Sequence, residues 1–231
     1  MTDGTRDEQK RAAGERAVEW VESGMVVGLG TGSTAIHAIN RIGALLSTGE
    51  LREVLGIPTS RASAEVASAA AIPLTTLEEH PVVDVTIDGA DEVGPALALI
   101  KGGGGALLHE KVVAQASTRE VIVVDDSKPS PCLGTLHALP VEVLPFGWRP
   151  EADYLDDLGA EVMLRRGADG RPFVTDEGNW ILDAAFGPIG DPERLAARLA
   201  ARAAVVEHGL FLGLATDLLI AGAVGVEHRR A

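Results

Sequence analysis

The chain has 231 residues, 46% of them hydrophobic and 23% charged, enough to bury one large core or one large and one small. Its net charge of −14 leaves no general basic face for nucleic-acid phosphates, and no window approaches the roughly 18 uninterrupted apolar residues of a membrane span. Nucleic acid and membrane are therefore not expected partners. Residues 1–24 carry charges throughout with no apolar leader core, so a cytoplasmic location is expected. The single cysteine, Cys132, has no partner for an internal disulfide and no histidine in its motif, and reads as a packing residue.

In chain order, residues 7–23 show helical apolar spacing at Ala17, Val18, Trp20 and Val21 and stop at Ser23-Gly24. MVVGLG (25–30) reads as a buried strand, GTGS as a turn, and TAIHAINRIGALL as a helix with Ser33 as its N-cap. EVLGIP, ASAEVASAAA and VVDVTIDGAD repeat the strand, helix, strand pattern. ALALIKGGGG follows, then a helix through ALLHEKVVAQA and the strand VIVVDD (121–126). This alternation predicts a Rossmann-like, doubly wound, mostly parallel sheet of the α/β class. Near Leu139 the pattern changes. PVEVLPFGWRP, the helix-like EADYLDDLG, the strand EVMLRR, a hairpin RPFVTDEGNWILD turning at DEGN, and the helix-like PERLAARLAARA read as a smaller inserted α/β domain. GLFLGLATDLLIAGAV reads as two buried strands rejoining the main sheet. The expected domains are 1–138 with 209–231, and 139–208.

Open parallel sheets bind ligands at the carboxyl ends of their strands. GLGTGST, DGADE, KGGGG and DDSK each follow an expected strand, so four motifs should meet at one edge. GLGTGST differs from the dinucleotide fingerprint, since Ser33 occupies the place of the third glycine and the second strand ends in Thr59 and Ser60 rather than an acid. What remains is a glycine loop at a helix start, with hydroxyls at Thr31, Ser33 and Thr34 and a flexible Gly32, suited to phosphate or sugar oxygens. No Walker A loop is present. DGADE clusters Asp88, Asp91 and Glu92 around Gly89 and Ala90, where carboxylates can hold a proton or bind hydroxyls. It lacks the spacing of a calcium loop, because Leu99 stands where the last glutamate would be, and His109-Glu110 lacks the second histidine of a zinc helix, so no metal is expected.

KGGGGALLHEK carries the parts for proton transfer beside a carbonyl. Glu110 supplies a carboxylate base, Lys101 an ammonium for the developing oxyanion, and Gly102, Gly103 and Gly104 a backbone that a ligand can approach. Only four of the 20 basic residues are lysine, namely Lys10, Lys101, Lys111 and Lys128, and 16 are arginine. Positions that keep a compact ammonium in such a chain are candidates for phosphate or oxyanion contacts.

Taken together, GLGTGSTA, IDGADEV, IKGGGGALLHEK and VVDDSK, followed by LPVEVLPFG, VTDEGNWILD and HGLFLGLATDLLIAG, closely resemble the type A ribose-5-phosphate isomerase family over nearly the entire chain. The resemblance implies interconversion of ribose 5-phosphate and ribulose 5-phosphate in the pentose phosphate pathway, with no metal or organic cofactor, in a homodimer or homotetramer. It places the general base on Glu110, and the substrate-contacting segments on Thr31 to Thr34, Asp88 to Asp91, Lys101 to Gly104, and Lys128. With that substrate, residue chemistry assigns ring opening to Asp88 or Asp91 and stabilisation of the enediolate to Lys101, and the resemblance places Lys10 near the phosphate. The four glycines after Lys101, where some relatives have three and an alanine, remove no functional group. A sugar-phosphate-sensing module would need the phosphate loop but neither Glu110 nor Lys101. A related deaminase would carry a catalytic histidine, and a CoA transferase a differently placed covalent glutamate.

Overall fold

Aliphatic runs without polar alternation make strands that must be buried on both faces, and the amphipathic stretches between them make the helices that cover those faces. The computed structural model describes residues 3–231. In chain order these form α1 (Asp3–Ala17), β1 (Val26–Leu29), α2 (Ala35–Thr48), β2 (Leu55–Pro58), α3 (Arg61–Ala69), β3 (Val85–Asp88), β4 (Glu92–Val93), β5 (Leu99–Ile100), α4 (Leu107–Ala116) and β6 (Glu120–Asp125). There follow β7 (Leu139–Val143), α5 (Trp148–Asp157), β8 (Glu161–Leu164), β9 (Trp180–Ala185), α6 (Pro192–Ala200), β10 (Val205–His208), β11 (Leu210–Phe211), β12 (Asp217–Gly222) and β13 (Gly225–Arg230). The chain divides into two compact units, residues 1–90, 109–128 and 213–231 in the first and residues 91–108 and 129–212 in the second.

The first unit is built on a six-stranded sheet of order β13-β12-β6-β3-β1-β2, parallel except for the β12–β13 pair. Alternate residues of β1 serve opposite faces. Val27 and Leu29 join Ala13 and Ala17 of α1, Ile39 and Ile42 of α2 and Ala67 of α3, while Val26 joins Ile57, Val83 and Val113 of α4. Helices thus cover both sides, which is why β1, β3 and β6 are buried along their whole length. The outer strand β13 carries Glu227, His228, Arg229 and Arg230, charges that discourage further strand addition at an open edge. Ser60 and Ser63 form a reciprocal capping box that starts α3, and Gly49 in the left-handed conformation ends α2.

The second unit contains two antiparallel sheets, of order β10-β7-β9-β8 and β11-β5-β4. Its core joins Ile100, Leu139, Val141, Leu155, Leu182, Leu199 and Leu210. Inside it, the buried carboxylate of Glu92 accepts from four consecutive amides, Gly134 to His137, at 3.1 to 3.2 Å, so one side chain organises an entire turn.

Four local expectations are corrected. The N-cap of α2 is Thr34, not Ser33, and no side chain bonds to the helix end there. GLFLGL does not enter the main sheet: its strand, β11, pairs with β5, and only β12 rejoins the parallel sheet. The segment RPFVT is not the hairpin partner of β9, which pairs with β7 and β8; DEGN still closes a local turn through bonds between Thr175 and Asn179. Composition set the smaller domain at 139–208, whereas residues 91–108, 129–138 and 209–212 also group with the second unit. The physical reason is strand pairing, because β4 bonds to β5 and β5 to β11, not to the parallel sheet.

Candidate active site

β1, β3 and β6 are parallel neighbours, so the segments leaving their carboxyl ends, Thr31–Thr34, Gly89–Ala90 and Asp126–Lys128, emerge at one edge of the first unit. Asp88, the last residue of β3, is fully buried, and its Oδ1 accepts from the amides of Thr31 at 3.0 Å and Gly89 at 2.7 Å. This brace explains Gly30: a Cβ at that position would overlap the Asp88 carboxyl. Gly32 takes φ +110°, a value that a side chain would make strained, and leaves an exposed, open turn with Ser33 beside it. The Thr31 hydroxyl bonds to Ser60 at 2.7 Å and Thr59 at 2.8 Å, and Thr34 is buried. The phosphate-type loop is therefore held from below by hydroxyls and a carboxylate.

Asp125 closes β6. Burial pushes its carboxyl up, but bonds from the Ser127 hydroxyl and amide and the charges of Lys128 and Lys10 outweigh that and hold it below the usual carboxylate range. Lys10, on α1, and Lys128, after β6, thus both act on this carboxylate through their charge, in a protein that is otherwise acidic. Glu110 lies in the first turn of α4, where the helix dipole favours a carboxylate, and is only 5% exposed, as is Lys111.

The remaining expected residues belong to the second unit. KGGGG follows β5 of the three-stranded sheet, so only three of the four motifs follow strands of the parallel sheet. Lys101 is 2% exposed, its amide bonds to the Gly209 carbonyl at 2.9 Å, and its Nζ stands 5.4 Å from the centre of the Phe211 ring. The Asp91 amide bonds to the Ile100 carbonyl at 2.9 Å, and its carboxylate Oδ2 accepts from the Gly103 amide at 2.7 Å. Gly103 and Gly104 are exposed, and a Cβ on Gly103 would collide with the Asp91 carboxylate. Arg165, which no sequence motif marks, donates from Nη1 to the carbonyls of Gly102 at 2.8 Å and Gly103 at 3.1 Å. Thr59 and Ser60, which in sequence show only a strand end without an acid, join the site through Thr31. A serine capping box is the available sequence signal for Ser60; Arg165 has none, since the glycine carbonyls it meets lie about sixty residues upstream.

Among the described residues no group of three or more His, Cys, Asp or Glu side chains is arranged to hold a metal ion, and no helix is long and apolar enough to cross a membrane.

A family model described as ribose 5-phosphate isomerase A (phosphoriboisomerase A) matches residues 55–225. The chain belongs to this family. It is 56% identical to the ribose-5-phosphate isomerase A of Chloroflexus aurantiacus over 99% of its own length and 95% of that protein's, and 54% identical to that of Desulfatibacillum aliphaticivorans over 98% and 99%. Among solved structures it superposes with TM-score 0.95 on a D-ribose-5-phosphate isomerase in complex with phospho-erythronic acid, at 35% identity over 98% of this chain and 99% of that one. The Plasmodium falciparum ribose 5-phosphate isomerase gives 0.94 at 39% identity, over 97% and 99%. The family is one of isomerases, and the reaction of the chain is the isomerisation of ribose 5-phosphate.

Proposed function

We propose that the residues described above divide this isomerisation into phosphate capture, ring opening and proton transfer. Lys128 and the Thr31–Thr34 turn hold the phosphate, with Lys10 adding charge from α1. Asp88 and Asp91 open the furanose: one accepts the anomeric hydroxyl proton, a proton is returned to the ring oxygen, and the C1–O4 bond breaks to give the aldehyde. Glu110 then removes the proton from C2. The electron pair moves into a cis-enediolate, whose negative oxygen is stabilised by the Lys101 ammonium. The proton on O2 passes to O1, Glu110 returns its proton to C1, and the ketose ribulose 5-phosphate results. Gly102, Gly103 and Gly104 let backbone approach the sugar where a side chain would block it.

The observation that carries this reading is Glu110: a carboxylate 5% exposed, in the first turn of the helix that follows the glycine loop, in a chain of this family. Phospho-erythronic acid, the ligand in the neighbouring structure, presents a planar carboxylate much as an enediolate presents planar oxygens, which supports the same intermediate. The reading includes action in the pentose phosphate pathway in the cytoplasm, by a homodimer or homotetramer.

Glu110→Gln keeps shape and hydrogen-bonding reach but removes basicity, so kcat should fall by roughly a hundredfold to ten-thousandfold while ribose 5-phosphate still binds. Steady-state kinetics with calorimetric binding checks this. A Gln variant that turns over near the wild-type rate removes Glu110 from the mechanism. One that binds without turnover argues against a purely sensory module.

A further inference from the structure

Arg165 follows β8 and Asp183 lies in β9, and the two strands pair so that Leu164 faces Leu182 and Met163 faces Asp183. The Arg165 amide bonds to the Ile181 carbonyl at 2.9 Å, fixing its backbone to β9. Its Nε and Nη2 meet both Asp183 oxygens, at 2.9 and 2.5 Å, the two-pronged geometry that only a guanidinium provides. With that prong fixed, Nη1 faces the glycine loop and donates to the carbonyls of Gly102 and Gly103. The Phe173 ring, 5.8 Å from the guanidinium carbon, fills the space a side chain on Gly105 would need. Arg165 is 15% exposed, so this fork is largely shielded from solvent screening.

The consequence lies on the other side of the loop. In a planar trans peptide the N–H points opposite to the C=O. Holding the Gly102 and Gly103 carbonyls toward Arg165 therefore turns the amides of Gly103 and Gly104 away from it. The Gly103 amide is the one that meets Asp91 Oδ2 at 2.7 Å. Four glycines in sequence have little preference of their own for this orientation, because glycine populates both signs of φ. Within the loop the Gly105 amide reaches the Gly102 carbonyl at 3.0 Å, and from outside it Arg165 adds a clamp that takes the Gly102 and Gly103 carbonyls together.

We propose that Arg165, oriented by Asp183, is a positioning residue for Asp91, acting through the peptide units of Gly102 and Gly103. The proposal rests on the reading of Asp91 as one of the two ring-opening carboxylates. Arg165 touches no reacting atom in it. It sets the direction of the Gly103 amide, which meets the Asp91 carboxylate.

The test is a double-mutant cycle on the full-length protein, with ribose 5-phosphate as substrate, using Arg165→Ala, Asp91→Asn and the double variant, each checked for folding by circular dichroism. Arg165→Ala should lower kcat about tenfold to a hundredfold, the scale of a misplaced catalytic group. Arg165→Lys should recover little of it, since one ammonium cannot hold both Asp183 oxygens and both carbonyls. In the Asp91→Asn background, where there is no carboxylate left to position, Arg165→Ala should cost less than about threefold more. If it costs its full factor again, the route through Asp91 is wrong and Arg165 supports the fold alone. If Asp91→Asn by itself turns over at the wild-type rate, the assignment of Asp91 to ring opening fails, and the proposal with it. Should Arg165→Ala not fold, the near-isosteric Asp183→Asn, which releases the fork, takes its place in the same cycle, and the same two results would overturn the proposal.

Discussion

At opposite ends of the parallel strands in the first unit sit two buried aspartates, Asp88 at the carboxyl end of β3 and Asp217 at the amino end of β12, one braced by loop amides and the other by an arginine. Asp217 is 2% exposed and meets Arg119 through Nε at 2.8 Å and Nη2 at 3.0 Å, the Thr216 hydroxyl at 2.8 Å, and His228 Nε2 at 2.7 Å. The Arg119 guanidinium in turn stands 4.7 Å over the Trp20 ring, which tilts against His228 at 5.1 Å. Burial pushes the Asp217 carboxyl up, but Arg119, His228 and Thr216 outweigh it and hold it well below the usual range. The Asp88 Oδ1 accepts from two backbone amides, Thr31 and Gly89, in the loops at the carboxyl edge of the sheet. A carboxylate met by a guanidinium, an imidazole and a hydroxyl is locked as an anion and ties elements together. One gripped by loop amides ties its own position to the loops at the carboxyl edge.

The largest expected effect that sharpens this contrast is on turnover. Asp88→Asn keeps an oxygen for the Thr31 and Gly89 amides but cannot take up the anomeric proton, so kcat should fall by about a hundredfold or more while the melting temperature changes little. Steady-state kinetics and thermal melts of the same preparation decide it, and a variant that melts early with normal turnover would erase the contrast.

At the other end the effects should exchange places. Asp217→Asn loses charge-assisted bonds from a partly exposed arginine, and should cost about 2 kcal/mol, or about 4–8 °C in Tm for a chain of this length, with kcat nearly unchanged. The pH dependence has a definite sign. A carboxyl whose folded pKa is depressed contributes stability that is complete above its unfolded value, about 3.9, and lost as pH falls toward the folded value. The Tm gap between wild type and Asp217→Asn should therefore be constant from about pH 5 upward and close below about pH 4. A gap that widens in acid would refute this role for Asp217.

Lys128→Ala is the mildest. A phosphate contact acts about equally on bound substrate and transition state, so KM should rise about tenfold with kcat within about threefold. A large fall in kcat at unchanged KM would move Lys128 from phosphate capture into the chemistry.

The strand, loop, helix order of the first unit is legible in sequence because each of β1, β3, β6 and β12 is a short aliphatic run and each neighbouring helix shows its own apolar spacing. The motifs are legible for the same reason: glycine clusters, adjacent carboxylates and sparse lysines are local signals that need no knowledge of contacts. The strands of the second unit are harder. β4, β5 and β11 are two residues long, too short for any period to show, and GLFLGL looks like a central strand until its partner is known.

Residue identity in this chain settled the alternation of strands and helices, the acidic balance broken by a few lysines, and a carboxylate, an ammonium and a glycine loop within eleven residues, since these depend on neighbours in sequence alone. Tertiary structure decided which sheet β5 joins, because its partner β11 lies more than a hundred residues later. It also placed Thr59 and Ser60 beneath Thr31, and set the Arg165–Asp183 fork on the glycine carbonyls. Pairings across such distances follow from how whole elements pack, and no local propensity or spacing encodes them.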